Sequence, residues 1–192
     1  MNHAALILAS GSPRRRELLS LTGLPYVVDA PEVDESCALP PEEAVQEISR
    51  RKGLAGAAAH PGCVVLSADT LVAGDGKALG KPHSEEEAFQ MLSLLSGRWH
   101  QVYTGVCAVD AQGMVHQRFV GTQVHFCPMT EEEIRRYIAT GEPMDKAGAY
   151  AVQGIAGLWI DKLEGSYSNV IGLPMHTVRE LLDECGLHCW RA

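Results

Sequence analysis

Blocks of apolar residues separated by short polar stretches run along this chain, and each block predicts one helix or strand. A short apolar run over residues 4–9 predicts a buried strand. The small residues behind it lead to Pro13, which suits the first turn of a helix that extends to about Thr22. A second apolar run, residues 63–72, predicts the strongest strand of the chain.

The remaining elements are bounded by clear start and stop signals. Their helices open at a proline or at a capping serine or threonine followed by acidic side chains, which is typical of a helix start. The predicted helices are residues 41–59, 84–95, 130–140 and 174–185, the predicted strands are residues 26–28, 77–79, 99–109, 114–127 and 158–163, and irregular structure is expected at residues 144–154 and 165–169. Because this order contains both hairpins and helical crossovers, it predicts an α/β fold around a mixed, extended sheet.

Length and charge narrow the classes of protein that fit. The 192 residues contain no repeat or linker, so we expect a single domain over residues 1–192. The net charge of −8 argues against binding nucleic acid, and no apolar stretch approaches the ~20 residues that a membrane span needs. The six cysteines form no CxxC pair, which favours reduced thiols and a cytoplasmic location. Cys63, Cys107 and Cys127 lie in or directly after apolar runs, so we expect these three to be buried.

Three arginines occupy the first turn of the first predicted helix, directly after Ser12 and Pro13. Cations are unfavourable there, because a helix N-terminus carries unpaired N–H groups and the positive end of the helix dipole. Residues 14–16 therefore point to an anion, such as a phosphate group, that balances the charge. The alternative is an ordinary Ser-Pro cap followed by surface arginines, and this stretch alone does not decide between the two.

Carboxylates at two places are candidates for chemistry. Asp69 lies in a strand that is otherwise apolar, where a carboxylate is costly unless it is paired, hydrogen-bonded or bound to metal. This favours a functional role over simple bonding to loop amides. Glu32, Asp34 and Glu35 form an acidic loop, and Asp69 with one of them would suffice for a divalent ion that also binds phosphates. Lys81 would either neutralise a phosphate or be merely exposed.

Familiar catalytic patterns are absent from the sequence. Residues 75–82 approach a P-loop, but Asp75 stands where the first glycine is needed and Pro82 where Ser or Thr must hold Mg²⁺. The chain has no GxSxG nucleophile elbow and no HExxH motif. Hydrolysis of a phosphoanhydride by an activated water therefore fits the basic residues and carboxylates better than a covalent mechanism does.

Five short motifs follow one another along the chain: residues 8–15 (LASGSPRR), 67–70 (SADT), 80–82 (GKP), 145–154 (DKAGAYAVQG) and 170–174 (VIGLP). In this order they resemble the motifs of the Maf family of nucleotide pyrophosphatases, and the resemblance extends over nearly the whole chain. It implies the Maf/inosine-triphosphatase-like fold, in which a mixed, elongated sheet flanked by helices has a cleft between two lobes. It also implies a homodimer.

The resemblance further implies a reaction and a set of site residues. The reaction would be hydrolysis of a nucleoside triphosphate to the monophosphate and pyrophosphate, with a divalent cation, Mg²⁺ or Mn²⁺. Asp69 matches the proton acceptor of the family, and Glu35 matches the carboxylate of its acidic loop, so Glu35 and Asp69 would hold the metal. The matching substrate-binding residues are Ser12, Arg14, Arg15, Lys52, Thr70, Lys81 and Gln153.

The segment from Asp145 to Gln153 resembles the branch of the family that prefers dTTP and UTP. Arg14, Thr70 and Gln153 match the positions linked with the choice of base, and the Gln153 amide can both donate to and accept from uracil or thymine. Two alternatives stay open. One is the same reaction on 7-methyl-GTP or another purine nucleotide, and the other is a nucleotide-sensing regulator of cell division.

Overall fold

One mixed sheet runs through the computed structural model, which describes residues 5–190. Its strands are β1 (Leu6–Leu8), β2 (Tyr26–Val28), β3 (Val64–Gly74), β4 (Lys77–Leu79), β5 (Trp99–Val109), β6 (Val115–Phe126) and β7 (Ile160–Glu164). The α-helices are α1 (Pro13–Ser20), α2 (Pro41–Ala59), α3 (Glu85–Leu95), α4 (Glu131–Ile138), α5 (Tyr167–Ile171) and α6 (Met175–Glu184), and short 3₁₀ helices lie at Glu142–Asp145, Ala147–Ala149 and Ile155–Trp159. Ala4, where the predicted first strand begins, and both ends of the predicted domain lie outside the described residues.

The strands follow the order β2-β1-β3-β5-β6-β7, with β4 paired to β3. β1 is parallel to β2 and β3, since α1 or α2 carries the chain back before each next strand. The other pairings are antiparallel. The predicted mixed sheet flanked by helices is therefore confirmed. Its long β3–β5 ladder places Asp69 opposite Gly105 and Thr70 opposite Thr104.

Two hydrophobic clusters meet along β3. Leu66 and Ala68 of β3 pack in one cluster with residues of α1 and α6. Val72 of the same strand packs in a second cluster with residues of α3 and α4. Asp69 and Thr70 lie between these positions, so the polar part of β3 falls where the two cores adjoin. This is the arrangement of two lobes that the family resemblance implies.

Helix α2 lies directly on β3 and β5 because glycines remove side chains from the contact. A Cβ atom at Gly105 would collide with the backbone carbonyl of Val45, and one at Gly53 would lie 2.9 Å from Ser67 Oγ. At Gly105 the obstacle is backbone, which cannot rotate away, so only glycine fits there without moving the helix. This close approach brings the second half of α2 over the middle of β3.

Two local predictions are wrong. Residues 165–169 do not form a loop, because Ser166 Oγ accepts a hydrogen bond of 3.2 Å from the Asn169 N–H and caps α5. A helix as short as α5 shows no clear hydrophobic period in the sequence. The strand predicted over residues 158–163 begins only at Ile160, since the residues before it form the 3₁₀ helix Ile155–Trp159.

The cysteines and the helices bear on two further expectations. All six cysteines are free thiols, and Cys107 is buried as predicted, but Cys63 and Cys127 are only half-buried. Among residues 5–190, no helix combines the length and the apolar character that crossing a membrane would require.

Candidate active site

A cleft of about 1060 Å³ opens between the two lobes. Its walls come from the start of α1, the loop before α2, the middle of β3, the β4 hairpin and the segment that follows α4. The structure brings every site residue predicted from the sequence to this one cleft: Ser12, Arg14, Arg15, Glu35, Lys52, Asp69, Thr70, Lys81 and Gln153. Residues that lie up to about 140 positions apart in the chain thus share one surface.

Three charged side chains form what we call the floor of the cleft: Glu35, Lys52 and Asp69. Lys52 Nζ donates to Asp69 Oδ1 at 2.8 Å and lies 2.9 Å from Glu35 Oε1. The Lys52 and Asp69 side chains are 13% and 10% exposed, whereas the Glu35 side chain is 60% exposed. One ammonium group therefore links a buried carboxylate to one that faces the open cleft.

Burial acts on the acid–base properties of Asp69. Loss of hydration raises the pKa of the Asp69 carboxyl, while the positive charges of Lys52 and Arg15 oppose this increase. A carboxylate with a raised pKa takes up a proton more readily than an ordinary aspartate does. Asp69 is thus suited to accept a proton from a water molecule, and Lys52 favours its ionised form.

Arg15 is held by three acceptors from separate parts of the chain. Its Nε donates to the carbonyl of Gly172 at 2.8 Å, Nη1 donates to Ser10 Oγ at 3.2 Å, and Nη2 donates to Thr70 Oγ1 at 3.0 Å. Thr70 Oγ1 lies 2.9 Å from Thr104 Oγ1 on the neighbouring strand. Burial lowers the pKa of the Arg15 guanidinium, and the nearby Asp69 opposes this. The cation is therefore fixed in direction before any ligand arrives.

The other two arginines of α1 differ in exposure. The Arg14 side chain is 27% exposed and its Nη1 lies 3.8 Å from Asp145 Oδ2 across the cleft, while Arg16 is exposed and is not among the residues that line the cleft in the described chain. Ser12 caps the helix, because its side chain accepts a hydrogen bond from the Arg15 N–H. The first turn of α1 contains no acidic residue to balance its positive charge, and this turn lines the cleft.

We call residues 142–155 the far wall of the cleft. Gln153 is exposed on this segment, and Lys146 pairs with the neighbouring Asp145. Tyr150 lines the cleft with part of its buried side chain, and its hydroxyl lies 2.7 Å from Nε2 of the buried His100 on β5. Burial lowers the pKa of His100 to about 4. Lys81, exposed just after β4, lies on the same cleft.

The structure distinguishes among the acids of the acidic loop. Glu35 contacts Lys52, while the Asp34 carboxylate turns back to accept a hydrogen bond from the Ser36 N–H at 2.9 Å. Arg51 fixes the loop, because its Nη1 donates to the carbonyls of Asp34 and Ser36, both at 3.0 Å. The loop therefore presents Glu35 as its carboxylate for the floor.

Sequence reasoning missed four contributors to the site: Ser10, Arg51, Thr104 and Gly172. In the sequence, Arg51 belongs to a basic cluster, residues 50–52, in the second half of the predicted helix 41–59, where the helix dipole already favours cations. Gly172 lies 157 positions from Arg15, and its part is played by a backbone carbonyl, which no residue type reveals.

The fold and the cleft together define the class of protein: an α/β protein with a cleft in which a firmly held arginine lies beside a buried, lysine-paired carboxylate. The chain belongs to the Maf family, since the model of that family, described as Maf-like protein, matches residues 5–185. The membership predicted from the motifs is confirmed.

Relatives match over nearly the full length. The chain is 49% identical to the dTTP/UTP pyrophosphatase of Symbiobacterium thermophilum over 185 residues, which covers 94% of each chain. It is 48% identical to the dTTP/UTP pyrophosphatase of Moorella thermoacetica over 191 residues, covering 96% of this chain and 97% of the relative. Among solved structures, the Ham1 protein of Staphylococcus aureus is similar with a TM-score of 0.48 and 14% identity, over 64% of this chain and 71% of that one.

Proposed function

We propose that this protein hydrolyses dTTP and UTP to the nucleoside monophosphate and pyrophosphate, and so removes such nucleotides and their modified forms from the nucleotide pool. The observation that carries the proposal is the floor of the cleft, where Lys52 Nζ links Asp69 and Glu35 directly beside Arg15. Relatives that are 48% to 50% identical and carry the name dTTP/UTP pyrophosphatase support the choice of substrate.

The reaction needs a base and a set of cations. Asp69 accepts a proton from a water molecule, and the resulting hydroxide attacks the α-phosphorus. The bond between the α-phosphorus and the bridging oxygen breaks, and pyrophosphate leaves with that oxygen. Arg14, Arg15 and Lys81 stabilise the negative charge that builds up on the phosphate oxygens. Because Arg15 is already held by three acceptors, little reorganisation is needed as the charge develops.

A divalent cation, Mg²⁺ or Mn²⁺, fits the floor of the cleft. Glu35 Oε1 and Asp69 Oδ1 converge on the single ammonium group of Lys52, and carboxylate oxygens are the donors that these hard cations prefer. Residues 5–190 contain no cluster of three or more acidic, histidine or cysteine ligands, so phosphate oxygens and water would complete the coordination. When bound, the ion would neutralise charge on the phosphates.

The choice of base is assigned to the far wall. Gln153 is exposed toward the cleft, and its amide can donate one hydrogen bond and accept another, which matches the carbonyl and imide groups of uracil and thymine. Arg14 and Thr70 are proposed to contribute to the same choice, with Thr70 held by Arg15.

The test is a comparison of pyrophosphate release from dTTP, UTP, CTP, GTP and 7-methyl-GTP, each with Mg²⁺ or Mn²⁺ and with the metal chelated. We expect dTTP and UTP to give the highest kcat/KM and chelation to abolish turnover. Faster turnover of 7-methyl-GTP than of dTTP and UTP would show that the protein acts on a purine nucleotide instead. If no nucleotide is cleaved, the enzymatic proposal fails, and a role as a nucleotide-sensing regulator would take its place.

We also propose a homodimer that acts in the cytoplasm, on the strength of the family resemblance. Light scattering of the purified protein tests the first part. A dimer is expected to have twice the chain mass of 20.7 kDa, and a single chain mass at micromolar concentration would contradict it.

A further inference from the structure

Glu142 lies at the start of the far wall and belongs to none of the sequence motifs of the site. Its side chain binds the backbone at the other end of the same segment. Its carboxylate accepts hydrogen bonds from the Ile155 N–H, at 3.0 Å on Oε1 and 3.1 Å on Oε2. Oε1 also accepts a hydrogen bond of 2.7 Å from the Tyr137 hydroxyl. The same hydroxyl accepts a hydrogen bond of 3.4 Å from the Ala151 N–H. The pair of side chains thus holds the backbone on both sides of Gln153.

Tyr137, which donates the hydrogen bond to Glu142, is fixed in the hydrophobic core. Tyr137 is 1% exposed, and its ring packs against Trp159 in the core of the second lobe. Glu142 also acts through its backbone, because its carbonyl accepts a hydrogen bond of 3.0 Å from Lys146 Nζ. One residue therefore connects the core to both Lys146 and the strip of chain that carries Gln153.

Gly154 shows how tightly the carboxylate fits. A Cβ atom at this position would overlap both carboxylate oxygens of Glu142. The backbone of Gly154 is extended with a φ of −104°, so no left-handed conformation calls for glycine, and the space taken by Glu142 is what requires it here. The backbone of the far wall at Gly154 and Ile155 therefore packs directly against the Glu142 carboxylate.

We propose that Glu142 is a positioning residue that sets the selectivity for the base by fixing Gln153 at the cleft. This rests on the proposed function, which gives Gln153 its role in base recognition. Glu142 is not among the residues that line the cleft in the described chain, so it would act through the residues that do. It acts by holding the Ile155 N–H, and so determines where the Gln153 amide stands relative to the bound base.

The first test compares Glu142→Ala with Glu142→Gln across the panel of nucleotides. For Glu142→Ala we expect the ratio of kcat/KM between dTTP and GTP to fall roughly tenfold, mainly through a higher KM for dTTP. Glu142→Gln keeps an oxygen that accepts from the Ile155 N–H, so it should restore the ratio to within about twofold of the wild type. The matched control is Glu132→Gln, an exposed glutamate of α4 paired with Arg136, which should change nothing.

The second test uses Gly154→Ala, which leaves Glu142 in place but displaces its carboxylate. This variant should lose selectivity as Glu142→Ala does. In the double variant Glu142→Ala/Gly154→Ala, the added methyl group has no carboxylate to displace. Gly154→Ala should therefore have no further effect when Glu142 is already alanine. Hydrogen exchange of the Ile155 amide, measured without substrate, should speed up in both single variants and stay slow in Glu142→Gln.

The outcomes separate the two proposals. If Glu142→Ala and Gly154→Ala leave the ratio of kcat/KM unchanged, or if their effects simply add, the positioning role of Glu142 is overturned. If the wild type prefers a nucleotide other than dTTP or UTP, the proposed function is overturned instead. The ratio between the best and the worst nucleotide then still tests Glu142.

Discussion

The floor and the far wall of the cleft are built in different ways. Two of the three floor residues sit on regular elements, with Asp69 in the long strand β3 and Lys52 in helix α2 packed against it, and only Glu35 comes from a loop. The far wall is a series of short 3₁₀ helices and turns, held by single side chains such as Glu142 and His100. Regular elements keep their geometry through many backbone bonds, whereas the far wall depends on a few contacts.

This difference separates the two tasks that we propose for the site. Bond cleavage is the same for every nucleoside triphosphate, and it needs charges at fixed distances. Choice of base requires a surface that can differ between related proteins without disturbing the floor. Variants of the floor should therefore reduce turnover for all nucleotides, while variants of the far wall should change the ratio between nucleotides.

The largest expected effect is that of Asp69→Asn on the floor. The amide cannot accept the proton of water, so kcat should fall roughly 10³-fold for every nucleotide. Nucleotide affinity, measured by calorimetry with a non-hydrolysable dTTP analogue, should change far less. A variant that keeps more than a tenth of the wild-type kcat would remove Asp69 from its proposed role.

A smaller effect is expected at the start of α1, where Arg14 and Arg16, on either side of Arg15, give a matched pair. Arg14→Ala removes a cation from the cleft and should lower kcat/KM by about 10-fold to 100-fold. Arg16→Ala changes an exposed side chain and should stay within about twofold of the wild type. Steady-state kinetics with dTTP check both, and equal losses would contradict the assignment of Arg14.

Glu35→Gln should weaken the binding of the metal ion more than it slows the chemical step. The variant replaces one charged oxygen donor with a neutral amide, so we expect about tenfold more Mg²⁺ or Mn²⁺ to be needed for half-maximal activity. Direct binding of Mn²⁺ in the presence of a non-hydrolysable nucleotide should weaken in parallel. Glu32→Gln, a change in the same loop at an exposed residue, is the control, and a similar loss there would point to the charge of the loop rather than to Glu35.

The smallest effect on turnover at neutral pH is expected at His100, which holds Tyr150 of the far wall. The pKa of this buried histidine is lowered from 6.5 to about 4 on folding, so the unfolded chain binds the extra proton between these values. Its contribution to stability is complete above about pH 6.5 and is lost as the pH falls toward 4. Between pH 7 and pH 5, the free energy of unfolding of the wild type should therefore fall by about 2 kcal/mol more than that of His100→Gln. Urea titrations at the two pH values measure this difference, and parallel pH profiles would contradict it.

Much of the fold could be predicted because its elements carry strong local signals. The bounds of α2 at Pro41–Ala59 and of β5 at Trp99–Val109 agree with the prediction to the residue. Proline, acidic first turns and alternating apolar residues mark such elements within a short window. The short helix α5 was missed, since its start depends on a serine cap within a polar stretch that also suits a loop.

The candidate site was predictable where a residue contradicts its surroundings. Asp69 in an apolar strand and three arginines at a helix start are both costly by themselves, and Asp69 and two of these arginines, Arg14 and Arg15, line the cleft. Glu142 follows a glycine in an ordinary polar stretch, so nothing in its neighbourhood indicates a special role. Its importance arises from contacts with Tyr137 and Ile155 that exist only after folding.

The glycine at position 105 has a consequence for mutational scanning of this protein. Gly105 is not among the residues that line the cleft in the described chain, yet its missing side chain lets α2 approach the sheet. A methyl group there would push against Val45, about two turns ahead of Lys52, and would move the ammonium group away from its 2.8 Å contact with Asp69. A selection for activity would therefore rank position 105 with Asp69 and Lys52 themselves. A map of intolerant positions would outline the packing of a helix as well as the reacting groups, and only a measurement of folding would tell the two apart.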